Sequence, residues 1–102
     1  MKVEAGSTTT ISSMKLAPKS TFRIFANVTV DAVDKTGITS CYLTLESSGE
    51  GVQTYANIPD NITQSSNGIF CMYSTGNEPE TMKLNCTSGS TVNTTVNQFY
   101  SI

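Results

Sequence analysis

The sequence lacks histidine and tryptophan, and only 14% of its residues are charged. Without histidine, the usual base that activates a serine or cysteine nucleophile is missing. The six basic residues are scattered and the net charge is −2, so no surface that neutralises phosphates is expected. No apolar run approaches the roughly 18 residues that cross a bilayer. We therefore expect no enzyme, no cofactor, no nucleic-acid partner and no insertion into a membrane.

The acidic residues are poorly placed for catalysis. No two of them can be placed on a shared concave face, so solvated turn positions are their expected role. Three aspartates could supply the oxygen ligands that calcium prefers, but their spacing matches no known calcium loop, and no metal site is predicted. The acids that lie mostly in predicted turns are Asp31, Asp34, Glu46, Glu50, Asp60, Glu78 and Glu80, and the three aspartates are the candidate calcium ligands.

Serine, threonine and asparagine are abundant in this chain, in which charged residues are few. Together they make up more than a third of the 102 residues. Threonine is β-branched and suits strands, while serine and asparagine compete for backbone hydrogen bonds and favour turns. The length is that of one domain, residues 1–102. The composition therefore favours a single all-β domain with many turns.

Alternation of apolar and polar residues is clearest in 21–33, where Ile24, Ala26 and Val28 share one face. About seven such segments follow one another, separated by turn residues and without helical periodicity. This pattern predicts an immunoglobulin-like antiparallel β-sandwich. Residues 1–10 are expected to be a flexible lead or a donor segment. The predicted strands are 8–16, 21–31, 38–46, 51–57, 68–74, 81–87 and 91–101.

Three cysteines lie in three different predicted strands. Cys41 and Cys86 alternate with core-facing leucines, and their strands are neighbours in an immunoglobulin-like sandwich, so a disulfide between them is expected. Phe70 and Met72 are bulkier than Cys71; if they face the core, Cys71 faces outward as a free or intermolecular thiol. The alternative is three buried free thiols in a reducing cytosol. Zinc is not expected, because the cysteines lack paired spacing.

Four Asn-x-Ser/Thr sequons begin at Asn27, Asn61, Asn85 and Asn93. Three of these asparagines fall on the polar faces of predicted strands, and Asn61 lies in a long connection. All four positions could carry a glycan without disturbing the core. The alternative is that they are ordinary polar residues covering a sheet.

Two segments, FRIFANVTVDAVDKTGITSCYLTL and MKLNCTSGSTVNTTVNQFYSI, resemble the immunoglobulin-like modules repeated in archaeal cell-surface proteins of surface-layer or adhesin type. The resemblance covers about 21–46 and 81–102, roughly half the chain. It implies a strand pair followed by a closing hairpin, with Cys41 and Cys86 in the places of the family's paired cysteines. The acidic turn of the family is SGS in this chain, and Cys71 has no counterpart.

These observations favour a non-catalytic extracellular module of a cell-surface protein, with a structural or adhesive role. Its expected partners are other protein modules or copies of itself, and glycans are further candidates. A second hypothesis is a filament subunit, in which residues 3–16 complete the sheet of a neighbouring copy. A third is a carbohydrate-binding module that stacks sugars on Tyr42, Tyr55 or Tyr73.

Overall fold

The structure, a computed structural model, describes residues 1–32, 38–49, 51–58 and 64–102. These residues form eight strands and no helix. Seven strands correspond to the predicted ones, so the prediction of a seven-strand antiparallel sandwich is confirmed; a strand of two residues precedes them. The strands are β1 (Lys2–Val3), β2 (Thr8–Leu16), β3 (Thr21–Ala32), β4 (Thr39–Leu45), β5 (Gly51–Ile58), β6 (Gln64–Ser74), β7 (Glu80–Ser88) and β8 (Val92–Ser101).

The strands form two antiparallel sheets. Sheet I has the order β1-β8-β3-β6 and sheet II the order β2-β7-β4-β5. The pairs β3–β6 and β4–β7 match neighbours in an immunoglobulin sandwich, but β2 and β8 have exchanged places relative to that fold. Consequently the chain changes sheet at every connection except the β4–β5 hairpin. Strands β7 and β8 lie in opposite sheets, so they do not form the closing hairpin that the resemblance implies.

The core lies between β3 on one side and the central strands β4 and β7 on the other. Alternation directs every second side chain of β3 inward, as the sequence predicts, and sheet II supplies the opposing leucines and methionine. Burying these apolar surfaces is the main stabilising contribution to the fold. The inward side chains are Ile24, Ala26, Val28 and Val30 from sheet I, and Leu43, Leu45, Met82 and Leu84 from sheet II.

Residues 1–16 form an edge of both sheets. Strand β1 pairs with β8, and β2 pairs with β7. The turn between them contains Gly6 at φ = 76°, where a side chain would be strained, and its N–H donates to the carbonyl of Ser88 at 2.8 Å. Val3 and Leu16 are buried in the core. Residues 1–10 are therefore packed onto the sandwich rather than forming a flexible lead, because Val3 fills a core position.

One threonine ties two connections together at one end of the sandwich. The hydroxyl of Thr75 donates to the carbonyl of Ala17 at 2.7 Å and accepts from the N–H of Ser20 at 3.0 Å. Beside it Lys19, at φ = 55°, donates its N–H to the carbonyl of Gly76 at 2.7 Å. These bonds fix the β2–β3 connection against the β6–β7 connection.

Candidate functional site: the disulfide and the two outer faces

A disulfide joins the central strands of sheet II. Cys41 of β4 and Cys86 of β7 are register partners with Cα atoms 4.2 Å apart, and both are buried. The bond is the one predicted. It closes a loop of 45 residues, which contributes about 4 kcal/mol in the chain-entropy description of disulfides.

Cys71 faces the core, so the prediction that it faces outward is wrong. It pairs in register with Ile24, and residues opposite one another in a sheet point to the same side. Its side chain is only 5% exposed, while Phe70 and Met72 are 47% and 58% exposed. The thiol is free, and burial raises its pKa. A buried, protonated thiol does not present itself for cross-linking between folded copies.

An aromatic row crosses the outer face of sheet I. The ring of Phe25, in the central strand β3, lies 5.0 Å from the ring of Phe70 in β6 and 5.2 Å from that of Tyr100 in β8. Sequence reasoning missed this row because it left the inward face of this strand open and considered Phe70 as a core residue. The signal that could have found it is Phe25, a large apolar residue on the polar phase of its strand.

Asn85 occupies the equivalent central position on the outer face of sheet II. Its Oδ1 accepts from the hydroxyl of Thr10, and its Nδ2 donates to the hydroxyl of Thr44, both at 2.6 Å. The side chain is only 7% exposed, because β2 and β4 cover it from both sides. The expectation that Asn85 is an accessible glycan position is therefore wrong for the folded chain.

The other sequons differ in access. Asn93 is exposed near the start of β8. Asn27 is half-buried in β3, and its Oδ1 accepts from Nδ2 of Asn97 at 2.7 Å and from Ser66 at 3.5 Å. Asn61 lies outside the described residues. Asn93 is therefore the most open of the three described glycan candidates.

The three candidate stacking tyrosines lie in different surroundings. Tyr73 is half-buried and packs against the core, so its assignment to a sugar-binding surface is wrong. Tyr42 is half-buried on the outer face of sheet II, beside the backbone of Tyr55 in β5. The side chain of Tyr55 lies outside the described residues, so stacking of a sugar on this pair stays a prediction.

Among the residues that the structure describes, no group of three His, Cys, Asp or Glu side chains could hold a metal ion. Asp34 and Asp60, two of the three calcium candidates, lie outside the described residues, as does Glu50. At the surface, a hydrogen bond from the hydroxyl of Ser47 lowers the pKa of Glu80. Glu4, Glu46 and Glu80 lie in surface contacts with Lys2, Lys83 and Ser47, respectively. No helix of the described residues could span a membrane.

Comparison with known protein families, curated proteins and solved structures finds none that matches this chain. The candidate sites therefore stand on the geometry alone. That geometry consists of one buried disulfide, a polar outer face on sheet II and an aromatic outer face on sheet I.

Proposed function

We propose that this chain is a non-catalytic extracellular module of a cell-surface protein, with a structural or adhesive role. The observation that carries the proposal is the Cys41–Cys86 disulfide. Disulfides form and persist in oxidising compartments and are rare in reducing ones. A domain of this size has a single thin core, and a covalent link between its two central strands adds stability that such a domain needs outside the cell.

The outer surface supports the same role. Hydroxyl pairs join neighbouring strands on the outside of both sheets, as in Thr8 with Thr87 at 2.6 Å and Thr21 with Ser74 at 2.8 Å. The exposed sequon at Asn93 is suited to carry a glycan that points away from the core. Few charges and a hydroxyl-rich coat suit repeated or stacked display at a surface, which is the role implied by the resemblance of two segments to archaeal cell-surface modules.

Counting thiols in chain purified from the cells that produce it tests the proposal. The chain is unfolded in denaturant with an alkylating reagent present, and its intact mass is measured with and without prior reduction. We expect one modified cysteine without reduction, Cys71, and three after reduction. Three modified cysteines without reduction would contradict an oxidising location. Labelling of intact cells with a reagent that does not cross membranes adds the second readout, since a surface module must be labelled.

A filament subunit that exchanges strands is a second candidate, and one observation favours it. Residues 1–16 supply an edge strand to both sheets, and each of these strands pairs with the sandwich on one side only. They contribute only Val3, Ile11 and Leu16 to the buried core. The same segment from a neighbouring copy could make the same contacts, so exchange would be nearly balanced.

Deleting residues 1–16 tests the exchange. If the chain assembles this way, the shortened chain stays folded but no longer forms chains of copies by light scattering, and a synthetic peptide of residues 1–16 binds it. The matched control peptide replaces Ile11 and Leu16 with serine and should not bind. A full-length chain that scatters as a monomer at every concentration would exclude the filament.

A further inference from the structure

The four edge strands of the two sheets are unequally protected in the part of the chain that the structure describes. Exposed edges invite pairing with another chain, and natural edges are protected by lysine, proline, bulges or shortness. Strand β1 has two residues, one of them Lys2. Strand β2 contains Lys15 and a bulge between Thr10 and Ser12. The pairing of β5 with β4 is also interrupted by a bulge. Strand β6 has none of these devices.

Strand β6 is long and uncharged. Its 11 residues, QSSNGIFCMYS, contain no charge and no proline. Its register with β3 runs without a shift from Ser74 to Gln64. A long edge without charge, proline or bulge is a template for another β-strand.

The backbone groups that β6 offers at its open edge follow from the bonds of β3. Arg23 of β3 and Ile102 exchange both backbone hydrogen bonds, at 3.1 and 2.9 Å. Backbone groups alternate between the two sides of an antiparallel strand, so the next residue, Ile24, bonds toward β6. Its partner there is Cys71, whose N–H and C=O therefore point to β3.

By the same alternation, Gly68, Phe70 and Met72 direct their N–H and C=O groups to the open edge. The side chains of Phe70 and Met72 stand on the outer face and are about half exposed. A Cβ atom placed on Gly68 would meet nothing within 4 Å, so the outer face is open beside these side chains. The three residues thus direct their ladder groups to the open edge, and Phe70 and Met72 add apolar surface beside it.

We propose that two copies of this chain pair antiparallel through β6 and join their copies of sheet I into one continuous sheet. In the proposed register, Phe70 lies opposite Phe70 of the second copy, and Gly68 lies opposite Met72. This register matches all three edge-facing residues with the same three residues of the other copy, as a twofold axis requires. The strand carries no charge, so it does not repel its copy.

The aromatic row would add apolar contacts between the two copies to the backbone pairing. The row Tyr100–Phe25–Phe70 ends at the open edge. In the pair it continues into the row of the other copy and covers surface of Phe70 and Met72 that is exposed in the single chain. Strand β6 lies at the end of sheet I opposite β1, so this pairing does not use residues 1–16.

A proline substitution separates edge pairing from any other association of the full chain. Met72→Pro removes an N–H that faces the open edge and leaves the ladder to β3 intact, whereas Met72→Ala removes the same side chain and keeps the N–H. By sedimentation equilibrium we expect a dimer of the unmodified chain. We expect Met72→Pro to weaken it by about 100-fold and Met72→Ala by less than about tenfold. A monomer at millimolar concentration, or equal weakening by both variants, would overturn the proposal.

Amide exchange of the unmodified chain gives a readout that does not depend on how the variants fold. The amides of Phe70 and Met72 should exchange quickly in dilute solution and become protected as the dimer forms, while that of Cys71 is protected throughout. A dimer in which Phe70 and Met72 stay unprotected would overturn edge pairing. Strand exchange alone would leave the amides of Phe70 and Met72 unprotected at every concentration, so strand exchange and β6 pairing fail independently.

Discussion

The outer face of sheet II has an asparagine at its centre, and the outer face of sheet I has a phenylalanine. Asn85 is bonded on both sides, to Thr10 and Thr44. Phe25 contacts a ring on both sides, Phe70 and Tyr100. Both rows tie three strands together and both reach an edge strand, β2 for the polar row and β6 for the aromatic row, but the amide of Asn85 is satisfied within its own row. The aromatic row leaves its last ring half exposed at an open edge, so it offers binding surface to another chain.

The core-facing sides of the two sheets also differ, because sheet II has a disulfide there and sheet I has a free thiol. Replacing both Cys41 and Cys86 with alanine should lower the free energy of unfolding by about 4 kcal/mol, since the unfolded chain regains the freedom that the bond removes. Urea unfolding measures the loss. Cys71→Ala is the control and should lower it by about 1 kcal/mol through lost burial alone. Equal losses would show that the disulfide contributes no more than its packing.

Breaking the polar row should have the next largest effect. Asn85→Ala leaves the hydroxyls of Thr10 and Thr44 without their partner, so we expect a loss of about 1–3 kcal/mol in unfolding free energy. Asn93→Ala, at an exposed sequon, should change it by less than about 0.5 kcal/mol. Thermal unfolding of the two variants side by side measures the difference. A neutral Asn85→Ala would mean that water replaces the amide in full.

Breaking the aromatic row should have a smaller effect. A double-mutant cycle of Phe25→Ala and Phe70→Ala should give a coupling of about 0.5–1.5 kcal/mol, the usual range for aromatic pairs. Urea unfolding of the unmodified chain, the two single variants and the double variant supplies the four values. The cycle must be measured at a concentration where the chain is monomeric, so that pairing of copies does not contribute. A coupling near zero would show that the rings are neighbours without mutual stabilisation.

The smallest expected effect is the pH dependence that comes from Cys71. Burial raises its pKa in the folded chain, so at alkaline pH the folded state keeps a proton that the unfolded state releases. The contribution to stability is complete below the unfolded pKa, about 8.5, and is lost as the pH rises above it. Urea unfolding between about pH 7.5 and 9.5 should show a decline that Cys71→Ala reduces. An unchanged decline in the variant would assign it to other groups.

Alternation along single strands made much of the fold predictable. The apolar phase of residues 21–31 and the leucines next to Cys41 and Cys86 fixed which faces are buried, and from these the disulfide followed. The same reasoning failed for β6, because both faces of this strand are apolar. Ile69 and Cys71 lie on one face, and Phe70 and Met72 lie on the other. Only pairing with β3 decides between them, and pairing is a long-range property.

The remaining differences have the same origin. The burial of Asn85 depends on β2 and β4 covering it, which no pattern within its own strand reveals. The exchanged places of β2 and β8 depend on the sheet that each connection leads to. The residues of a short turn do not indicate that sheet. Strand β1 is too short to alternate, so only its packing of Val3 identifies it.

The position of the disulfide also sets how far the folded chain can be stretched. A force applied at Met1 and Ile102 can peel away the strands outside the bond, including β1, β2 and β8, but it cannot extend the 45-residue loop that the bond closes. At about 3.4 Å per residue, the bond withholds about 150 Å of contour length. Single-molecule extension under oxidising and reducing conditions would therefore differ by about that length, which makes the chain a tether whose reach is limited by its redox state.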